Sequence, residues 1–178
     1  MSDILQLIKE RRTIRKYLDK PVSDELLNAV LESGRWAQSW GNTQCWQVVV
    51  VRDTNKKKEL QKAVPSSNPS HQAIMDAPVV LCLCAKKKVA GFYKGQACTS
   101  YGDWMLFDIG VFAQNIALSA YHLGLGTVVV GLLDHDLARQ IVGLSDDYAL
   151  IALMPLGYPA KIPSTPPRKE IKDFTQHI

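Results

Sequence analysis

The sequence predicts a three-layer α/β/α sandwich, in which helices cover both faces of a central sheet. Two observations predict it. Helical and strand patterns follow one another in the order ααβα(α)βαβαβ, and the strand segments are continuous apolar runs, which is typical of strands with helices on both faces. No long polar, proline-rich or glycine-rich tract divides the 178 residues, so we expect one domain, 1–178.

Two helices are expected before the first strand. The apolar residues of the first recur at helical spacing: Ile4, Leu7 and Ile8. Ser2 or Asp3 is its expected N-cap. The second helix has a stronger start, because Ser23 is an N-cap residue, acidic residues follow it, and Val22 and Leu27 have the spacing of a hydrophobic staple.

The rest of the predicted core consists of four strands and four further helices. The expected strands are 46–52, 79–85, 127–133 and 149–157, and the expected helices are 54–64, 71–76, 104–123 and 134–142. Consecutive apolar residues in 46–52 predict burial on both faces. Cys82 and Cys84 alternate and are expected on one face of a buried strand, and Pro155 is expected to interrupt the last strand. Helix 104–123 has a wide apolar stripe, which predicts a central position.

Two segments lie outside these elements. Residues 86–102 are rich in lysine, glycine and polar residues, and we interpret them as a mobile loop. The tail from Tyr158 is proline-rich and charged and has too little apolar surface for a core of its own. Ile171 and Phe174 in this tail favour an arm that lies along a partner.

Composition excludes several classes of protein. With 47% hydrophobic and 21% charged residues, the chain is neither disordered nor a coiled coil. The longest apolar runs are much shorter than the roughly 20 residues of a membrane helix, and the start lacks a signal peptide's apolar stretch, so we expect a cytoplasmic protein. The four cysteines form no CxxC pair. A net charge of +4 is too weak to indicate nucleic-acid binding.

Common catalytic signatures are absent from the sequence. It contains no GxSxG, HExxH or Walker motif, and the glycine pair Gly124 and Gly126 precedes a strand instead of a helix. The four histidines are scattered without metal-ligand spacing, and Asp134 to Asp136 fits a helix cap better than a metal site. We therefore predict neither a catalytic side chain nor a metal.

A dense set of donors follows the first helix: Arg11, Arg12, Thr13 and Arg15. If the chain is extended here, residues 11, 13 and 15 point to one side. Guanidinium groups bind phosphate oxygens bidentately and stay charged at any working pH, so this side suits a phosphate. A solvated basic helix end is the alternative interpretation.

A polar stretch, 39–44, separates the second helix from the first strand. It combines Trp40, Gly41 and the two side-chain amides of Asn42 and Gln44. Amides pair with the N–H and C=O edge of a flat heterocycle, although the stretch also fits an ordinary turn.

These two segments together resemble the FMN-dependent nitroreductase family. The matching segments are 11–17, Pro21-Val22, 36–46, Asp76 to Val80, Gln114 to Ala120, Leu123 to Thr127, Leu156 to Pro159 and Arg168-Lys169. Each motif is weakly specific, but the ordered set covers nearly the whole chain. The resemblance implies an α+β fold of the nitroreductase type, with a mixed, mostly antiparallel sheet and a C-terminal arm that extends onto the partner subunit.

The resemblance also implies FMN bound at a homodimer interface, with each site built from both chains. Arg11, Arg12 and Thr13 would hold the phosphate and ribityl chain, and Arg168 would close on the phosphate. Arg15 would lie toward the N1/O2 side of the flavin ring. The remaining implied residues are Ser39, Trp40 and Asn42 from the other subunit, Gln44 shaping their turn, and Val130 and Gly131 offering backbone N–H groups to the N5/O4 edge.

The implied activity is an FMN-dependent NAD(P)H oxidoreductase. A ping-pong cycle would pass a hydride through flavin N5 to a nitroaromatic, a quinone or a similar small acceptor, and no side-chain base is required. The partners would be NAD(P)H, the acceptor and a second copy of the chain, with no nucleic acid and no membrane. Gln38 and Cys45 stand where the family has prolines, and for Cys45 we favour a small buried substitute over a thiol that reaches the flavin.

Three alternatives stay open at this level. One is a flavin-binding or redox-sensing protein without turnover, and another is related flavin chemistry such as flavin fragmentation or reductive dehalogenation. The third is a basic nucleic-acid module built on lysines 56–58 and 86–88, which we disfavour because both runs resemble solvated faces at element ends.

Overall fold

The computed structural model describes residues 4–178, so the predicted N-cap at Ser2 or Asp3 lies outside the described residues. The helices are α1 (Ile4–Glu10), α2 (Asp24–Arg35), α3 (Thr54–Lys62), α4 (Ala73–Asp76), α5 (Met105–His122) and α6 (His135–Ile141). The strands are β1 (Trp46–Val51), β2 (Val79–Lys86), β3 (Phe92–Tyr93), β4 (Gln96–Ala97), β5 (Gly126–Thr127) and β6 (Tyr148–Gly157). Short 3-10 turns occur at Trp40–Asn42 and Ile171–Asp173.

The central sheet has the strand order β1-β2-β6-β5, with every neighbouring pair antiparallel. One parallel bridge, between Thr13 and Thr127, makes the sheet mixed. The strands β3 and β4 form a separate hairpin. This confirms the predicted mixed, mostly antiparallel sheet.

Each face of the sheet carries its own hydrophobic core, because side chains alternate along β2. Leu81 and Leu83 face a core formed with α2 and α5. Cys82 and Cys84 face the other core, which includes Leu60 of α3 and residues of α4 and α6. The three-layer sandwich and the shared face of the two cysteines are therefore confirmed.

Helix α5 is central, as its apolar stripe predicts. The predicted stripe is buried throughout: Ile109, Phe112, Ala113, Ile116, Ala117 and Ala120. Gly124, with φ of 76°, follows its end in the left-handed region that favours glycine. Ser23 and Asp134 cap α2 and α6 by accepting the N–H groups of Leu26 and Leu137.

The prediction for the first strand is wrong in one respect. Among residues 4–178, β1 is an edge strand whose single neighbour is β2, so most of its residues are partly exposed instead of buried on both faces. Lys57, expected on a solvated face, is buried, and its ammonium donates to the carbonyls of Met75 and Ala77. Part of the expected loop 86–102 forms the β3-β4 hairpin.

Pro155 does not interrupt the last strand, contrary to prediction. Its carbonyl points away from β2 and accepts the Tyr17 hydroxyl at 3.1 Å. Instead, it interrupts the pairing of the neighbouring chain segment. If the register of β5 and β6 is continued, Pro155 lies opposite Val128. Proline has no N–H to donate there, so the pairing stops after Thr127 and resumes with the bridge between Val130 and Leu153. The expected strand 127–133 is therefore reduced to Gly126–Thr127 and one bridge.

Candidate functional site

The residues after α1 form an extended segment that lies beside β5. The Ile14 N–H donates to the Thr127 carbonyl at 2.9 Å, and the Ile14 side chain is buried in the core. Because side chains alternate in extended backbone, Arg11, Thr13 and Arg15 point to the opposite side. Of the two alternatives that the sequence left open, the structure shows the extended segment and not a continued basic helix end.

These three side chains line one cavity of ≈ 350 Å³, which we name the arginine pocket. Its other walls are Gly110, Ala113, Gln114 and Ala117 of α5 and the backbone segment Thr127 to Val129. A smaller cavity of ≈ 110 Å³ adjoins it and is lined by Arg11, Arg12 and Ile162 among others. The site thus combines cationic side chains with a small-residue face of a helix.

The electrostatics of the pocket are dominated by clustered guanidinium groups. Burial lowers the pKa of Arg11, and the nearby charges of Arg168 and Arg12 lower it further. Arg12 donates to the Lys9 carbonyl at 2.6 Å and to the hydroxyl of Thr165. Within residues 4–178, none of Arg11, Arg12, Arg15 and Arg168 forms an ion pair with a carboxylate. The cluster therefore favours an anion with several oxygens.

Arg15 is held at one end of the arginine pocket by a residue that the sequence interpretation missed. Its Nε donates to the Oγ of Ser70 at 3.2 Å, and Ser70 is buried. A guanidinium fixed in this way keeps its direction, so its charge acts at a defined place. Ser70 gave no local signal, because it lies in a polar loop far from Arg15 in sequence.

The polar stretch 39–44 is a turn with unusual backbone. Gly41, Asn42 and Gln44 all have positive φ, of 50°, 56° and 48°. The Ser39 Oγ accepts the Gln44 N–H at 3.0 Å, and the Gln44 amide donates to Asn42 Oδ1 at 3.3 Å. Two left-handed residues other than glycine in one turn indicate a backbone that its surroundings hold in place.

Asp108 is the second residue that the sequence interpretation missed. Its carboxylate lies at the start of α5, is 1% exposed, and accepts the Trp40 N–H at 3.0 Å. The Cys45 thiol donates to the same carboxylate at 3.6 Å. Burial, and then the charge of Asp108, raise the pKa of Cys45 to about 12. Cys45 is therefore a buried, protonated thiol, as the substitute for a proline was expected to be.

The four predicted residues of this turn do not line the arginine pocket. Ser39 and Trp40 line a cavity with Gln38, Trp104, Phe107 and Asp108, and Asn42 and Gln44 line another with Arg35, Trp36 and Ala37. Within one chain, the structure brings Arg11, Arg12, Thr13 and Arg15 together with Arg168 nearby, and it places the turn elsewhere.

The prediction for Val130 is wrong. Its N–H donates to the Leu153 carbonyl at 2.8 Å and its side chain is buried, so it offers no donor to a ligand. The physical reason is that strand pairing resumes beyond Pro155 with the bridge between Val130 and Leu153, which uses this N–H. Gly131 is exposed. Over residues 4–178, the N–H groups of Val129 and Gly131 have no backbone acceptor, and Val129 lines the pocket.

Two absences apply to residues 4–178. No group of histidine, cysteine and carboxylate side chains is arranged to hold a metal ion. No helix in this range has both the length and the apolar character to cross a membrane.

Comparison with known proteins identifies the family. The model of the nitroreductase family matches residues 8–74 and 66–158. A Methanothermobacter thermautotrophicus protein, whose name refers to NADH dehydrogenase and NAD(P)H nitroreductase, is 31% identical over 172 residues, covering 92% of this chain and 81% of that protein. The NADPH-flavin oxidoreductase of Vibrio harveyi is 28% identical over 174 residues, covering 94% of this chain and 70% of that protein.

A solved structure agrees with this result. An FMN complex from Desulfovibrio desulfuricans has a TM-score of 0.81 at 26% identity and covers 100% of this chain and 98% of that one. The family match includes the extended arginine segment, the turn and both long strands of the sheet. The chain therefore belongs to the nitroreductase family.

Proposed function

We propose that this chain is an FMN-dependent NAD(P)H oxidoreductase that acts as a homodimer. The observation that carries the proposal is the guanidinium cluster of Arg11, Arg12 and Arg168. Arg11 and Arg12 are half-buried, Arg168 is exposed beside them, and within residues 4–178 none of the three forms an ion pair with a carboxylate. Buried like charges repel one another, so the cluster stabilises a polyanion such as a phosphate monoester.

The residues present fit FMN. Arg11, Arg12 and Arg168 would bind the phosphate, and Thr13, between them and Arg15, would contact the ribityl hydroxyls. Arg15 would place its charge at the N1/O2 side of the ring. For the N5/O4 edge we propose the N–H groups of Val129 and Gly131 in place of that of Val130. The apolar face of α5 would cover one side of the flat ring.

FMN, when bound, supplies the two-electron chemistry that connects NAD(P)H with an oxidised acceptor such as a nitroaromatic or a quinone. The chain's own residues bind and orient. A fixed guanidinium at Arg15 favours negative charge at that end of the pocket. No side-chain acid or base is assigned.

The homodimer is proposed because the turn residues Ser39, Trp40 and Asn42 do not line the arginine pocket of their own chain. A second copy would bring them over the flavin, and Gln44 would shape the turn. Apolar side chains on α1 and on the C-terminal arm are exposed and would suit such contacts: Ile4, Ile8, Ile171 and Phe174.

Named relatives support the choice of cofactor and donor. The Vibrio harveyi relative is an NADPH-flavin oxidoreductase, and the Desulfovibrio desulfuricans structure is an FMN complex. The four cysteines are free, which is typical of a reducing compartment, and we include a cytoplasmic location in the proposal.

Anaerobic flavin spectroscopy tests the proposal. The purified protein is expected to carry FMN, to lose its visible absorbance when NADH or NADPH is added, and to recover it when a nitroaromatic or a quinone follows. Recovery of the flavin absorbance, together with consumption of the nitroaromatic or quinone, supports the oxidoreductase. A bound flavin whose absorbance falls with neither NADH nor NADPH contradicts turnover and favours a flavin-binding or sensing role. A chain that takes up no FMN contradicts the whole proposal.

A further inference from the structure

Arg15 differs from Arg11 and Arg12 in how its side chain is held. Arg11 and Arg12 are half-buried, whereas Arg15 is exposed at the end of the arginine pocket. An exposed arginine side chain has many rotamers of similar energy, so its charge moves unless a specific contact fixes it. The direction of the Arg15 guanidinium therefore depends on what it contacts.

That contact is the hydroxyl of Ser70. Among residues 4–178, the Ser70 Oγ is the one hydrogen-bond partner of the Arg15 guanidinium, and it accepts the Nε–H at 3.2 Å. Arginine has five N–H donors, so four donors on the two terminal nitrogens remain for the arginine pocket. Ser70 thus takes the donor nearest the stem of the side chain and leaves the terminal donors for a ligand.

Ser70 is itself held firmly. It is 4% exposed, its N–H donates to Asn68 Oδ1 at 2.9 Å, and its carbonyl accepts the Ala73 N–H at 3.1 Å. A buried serine with both backbone groups bonded has little freedom to move. Its hydroxyl is therefore an acceptor at a fixed place.

The loop that carries Ser70, residues 65–72, is bonded to two other parts of the chain. The His71 ring meets the Val64 carbonyl, just after α3, through Nδ1 at 2.9 Å. The Asn68 amide donates to the Leu132 carbonyl at 3.3 Å. Leu132 directly follows Gly131, whose N–H we propose for the N5/O4 edge of the flavin. One loop therefore fixes the Arg15 guanidinium and also contacts the backbone beside the other polar edge.

We propose that Ser70 is a positioning residue, which acts through Arg15 to make the chain bind reduced FMN more tightly relative to oxidised FMN. Reduction places negative charge at the N1/O2 end of the flavin, so a guanidinium held there stabilises the reduced form. Ser70 lines neither the arginine pocket nor the cavity beside it, so no contact with the flavin is assigned to it. Because this role needs bound FMN, it rests on the proposed function.

An NMR measurement on the full chain tests the contact, and this readout needs no flavin and no activity. The Arg15 Nε–H resonance is assigned with Arg15→Lys. Its exchange with water is expected to be about tenfold slower in the unaltered chain than in Ser70→Ala, because the hydroxyl protects this proton. Equal exchange rates would show that Ser70 does not hold Arg15, and would overturn the proposal.

Spectroelectrochemical titration of the FMN-loaded chain measures the consequence. Ser70→Ala is expected to reduce the preference for reduced FMN about three- to tenfold, which lowers the two-electron midpoint potential by about 15–30 mV. The affinity for oxidised FMN is expected to change less, because the proposed phosphate contacts stay intact. Ser67→Ala removes the same hydroxyl from an exposed position of the same loop, and is the matched control that leaves the potential unchanged.

A double substitution separates positioning from a general loosening of the loop. Lysine keeps the charge but has no Nε–H donor on a guanidinium, so Ser70→Ala in an Arg15→Lys chain is expected to shift the potential little. Equal shifts in both backgrounds would mean that Ser70 does not act through Arg15, and would overturn the proposal. Circular dichroism checks the folding of each variant. Ser70→Cys keeps the size with a weaker acceptor, and takes the place of Ser70→Ala if the latter does not fold.

The outcomes distinguish this role from the proposed function. A folded Ser70→Ala chain that binds FMN with an unchanged potential, and is reduced by NADH or NADPH, overturns the role of Ser70 and leaves the proposed function intact. A chain that takes up no FMN overturns both.

Discussion

The Arg11 guanidinium lies partly buried beside Arg12 and Arg168. Replacement by alanine removes a charge-assisted contact with phosphate, so Arg11→Ala is expected to weaken FMN binding about 10- to 100-fold. Flavin fluorescence titration measures this. Lys58→Ala removes the same charge from an exposed position on α3 and is the matched control. Equal losses in the two variants would place the phosphate elsewhere.

The burial of the Cys45 and Cys84 thiols predicts that the free energy of unfolding falls at alkaline pH. Burial raises the pKa of Cys84 from 9.0 to about 12, and burial with Asp108 raises that of Cys45 to about 12. Between about pH 9 and pH 12 the unfolded thiols ionise while the native ones keep their protons. The free energy of unfolding is therefore expected to fall as pH rises through this window, and burial of Tyr17 acts in the same direction.

Urea unfolding at several pH values measures the effect. Cys84→Ala is expected to flatten the decline, whereas Cys98→Ala, at an exposed thiol, leaves it unchanged. A stability that is constant or rises across the window would contradict the burial of these groups.

At the scale of residues, period-two spacing predicted the common side of Arg11, Thr13 and Arg15 on the condition that the chain is extended there, and the backbone meets that condition. Asp108 and Ser70 could not be predicted, because each meets its partner only when distant segments pack together. Lys57 shows the same limit. Its place in a run of lysines predicts an exposed side chain. In the structure its ammonium donates to the carbonyls of Met75 in α4 and Ala77 just after it, which are distant in sequence.

Among the elements, β5 connects the core to the arginine segment. A Cβ at Gly126 would lie 2.8 Å from Ile14 Cβ, so Gly126→Ala must push the segment away. We expect a loss of about 1–3 kcal/mol in the free energy of unfolding. FMN affinity should also fall, because Ile14 lies between Thr13 and Arg15.

Gly110→Ala is the matched control for unfolding. An added Cβ there meets nothing within 4 Å, and alanine favours a helix, so the variant is expected to gain up to about 1 kcal/mol. Urea unfolding compares the two. Similar effects of both substitutions would contradict the close packing of β5 against Ile14.

The order and type of most elements were predictable, because apolar periodicity and caps are local signals. The exceptions follow from pairing. A valine-rich run does not show whether its strand has one neighbour or two, so the edge position of β1 was missed. A proline affects the neighbouring segment as well as its own strand, which is why 127–133 became short and β6 stayed long.

For the whole molecule, the C-terminal arm is separable from the core. Residues 161–178 belong to neither hydrophobic cluster, although Thr165 contacts Arg12 and Arg168 lies near Arg11. Deletion of 161–178 is expected to leave the far-UV circular dichroism nearly unchanged and to weaken FMN binding. Loss of the folded core on deletion would contradict this separation.

A full-length variant distinguishes the two roles of the arm. Substitution of Ile171 and Phe174 by serine keeps Arg168 and is expected to weaken self-association, as light scattering with size-exclusion chromatography measures. FMN binding is then expected to fall only where the chain becomes monomeric, because the turn of the second copy completes the proposed site. A dimer that persists unchanged would show that these exposed side chains are not part of the contact.

The hydrogen bond between Arg12 and Thr165 joins segments that the ribosome makes far apart in time. A nascent chain that has emerged only as far as β6 already contains every strand of the sheet, yet it still lacks Arg168 and Thr165. Folding of the sheet can therefore precede completion of the anion-binding cluster. On the proposed function, a chain is expected to load FMN only after its C-terminal arm has been translated.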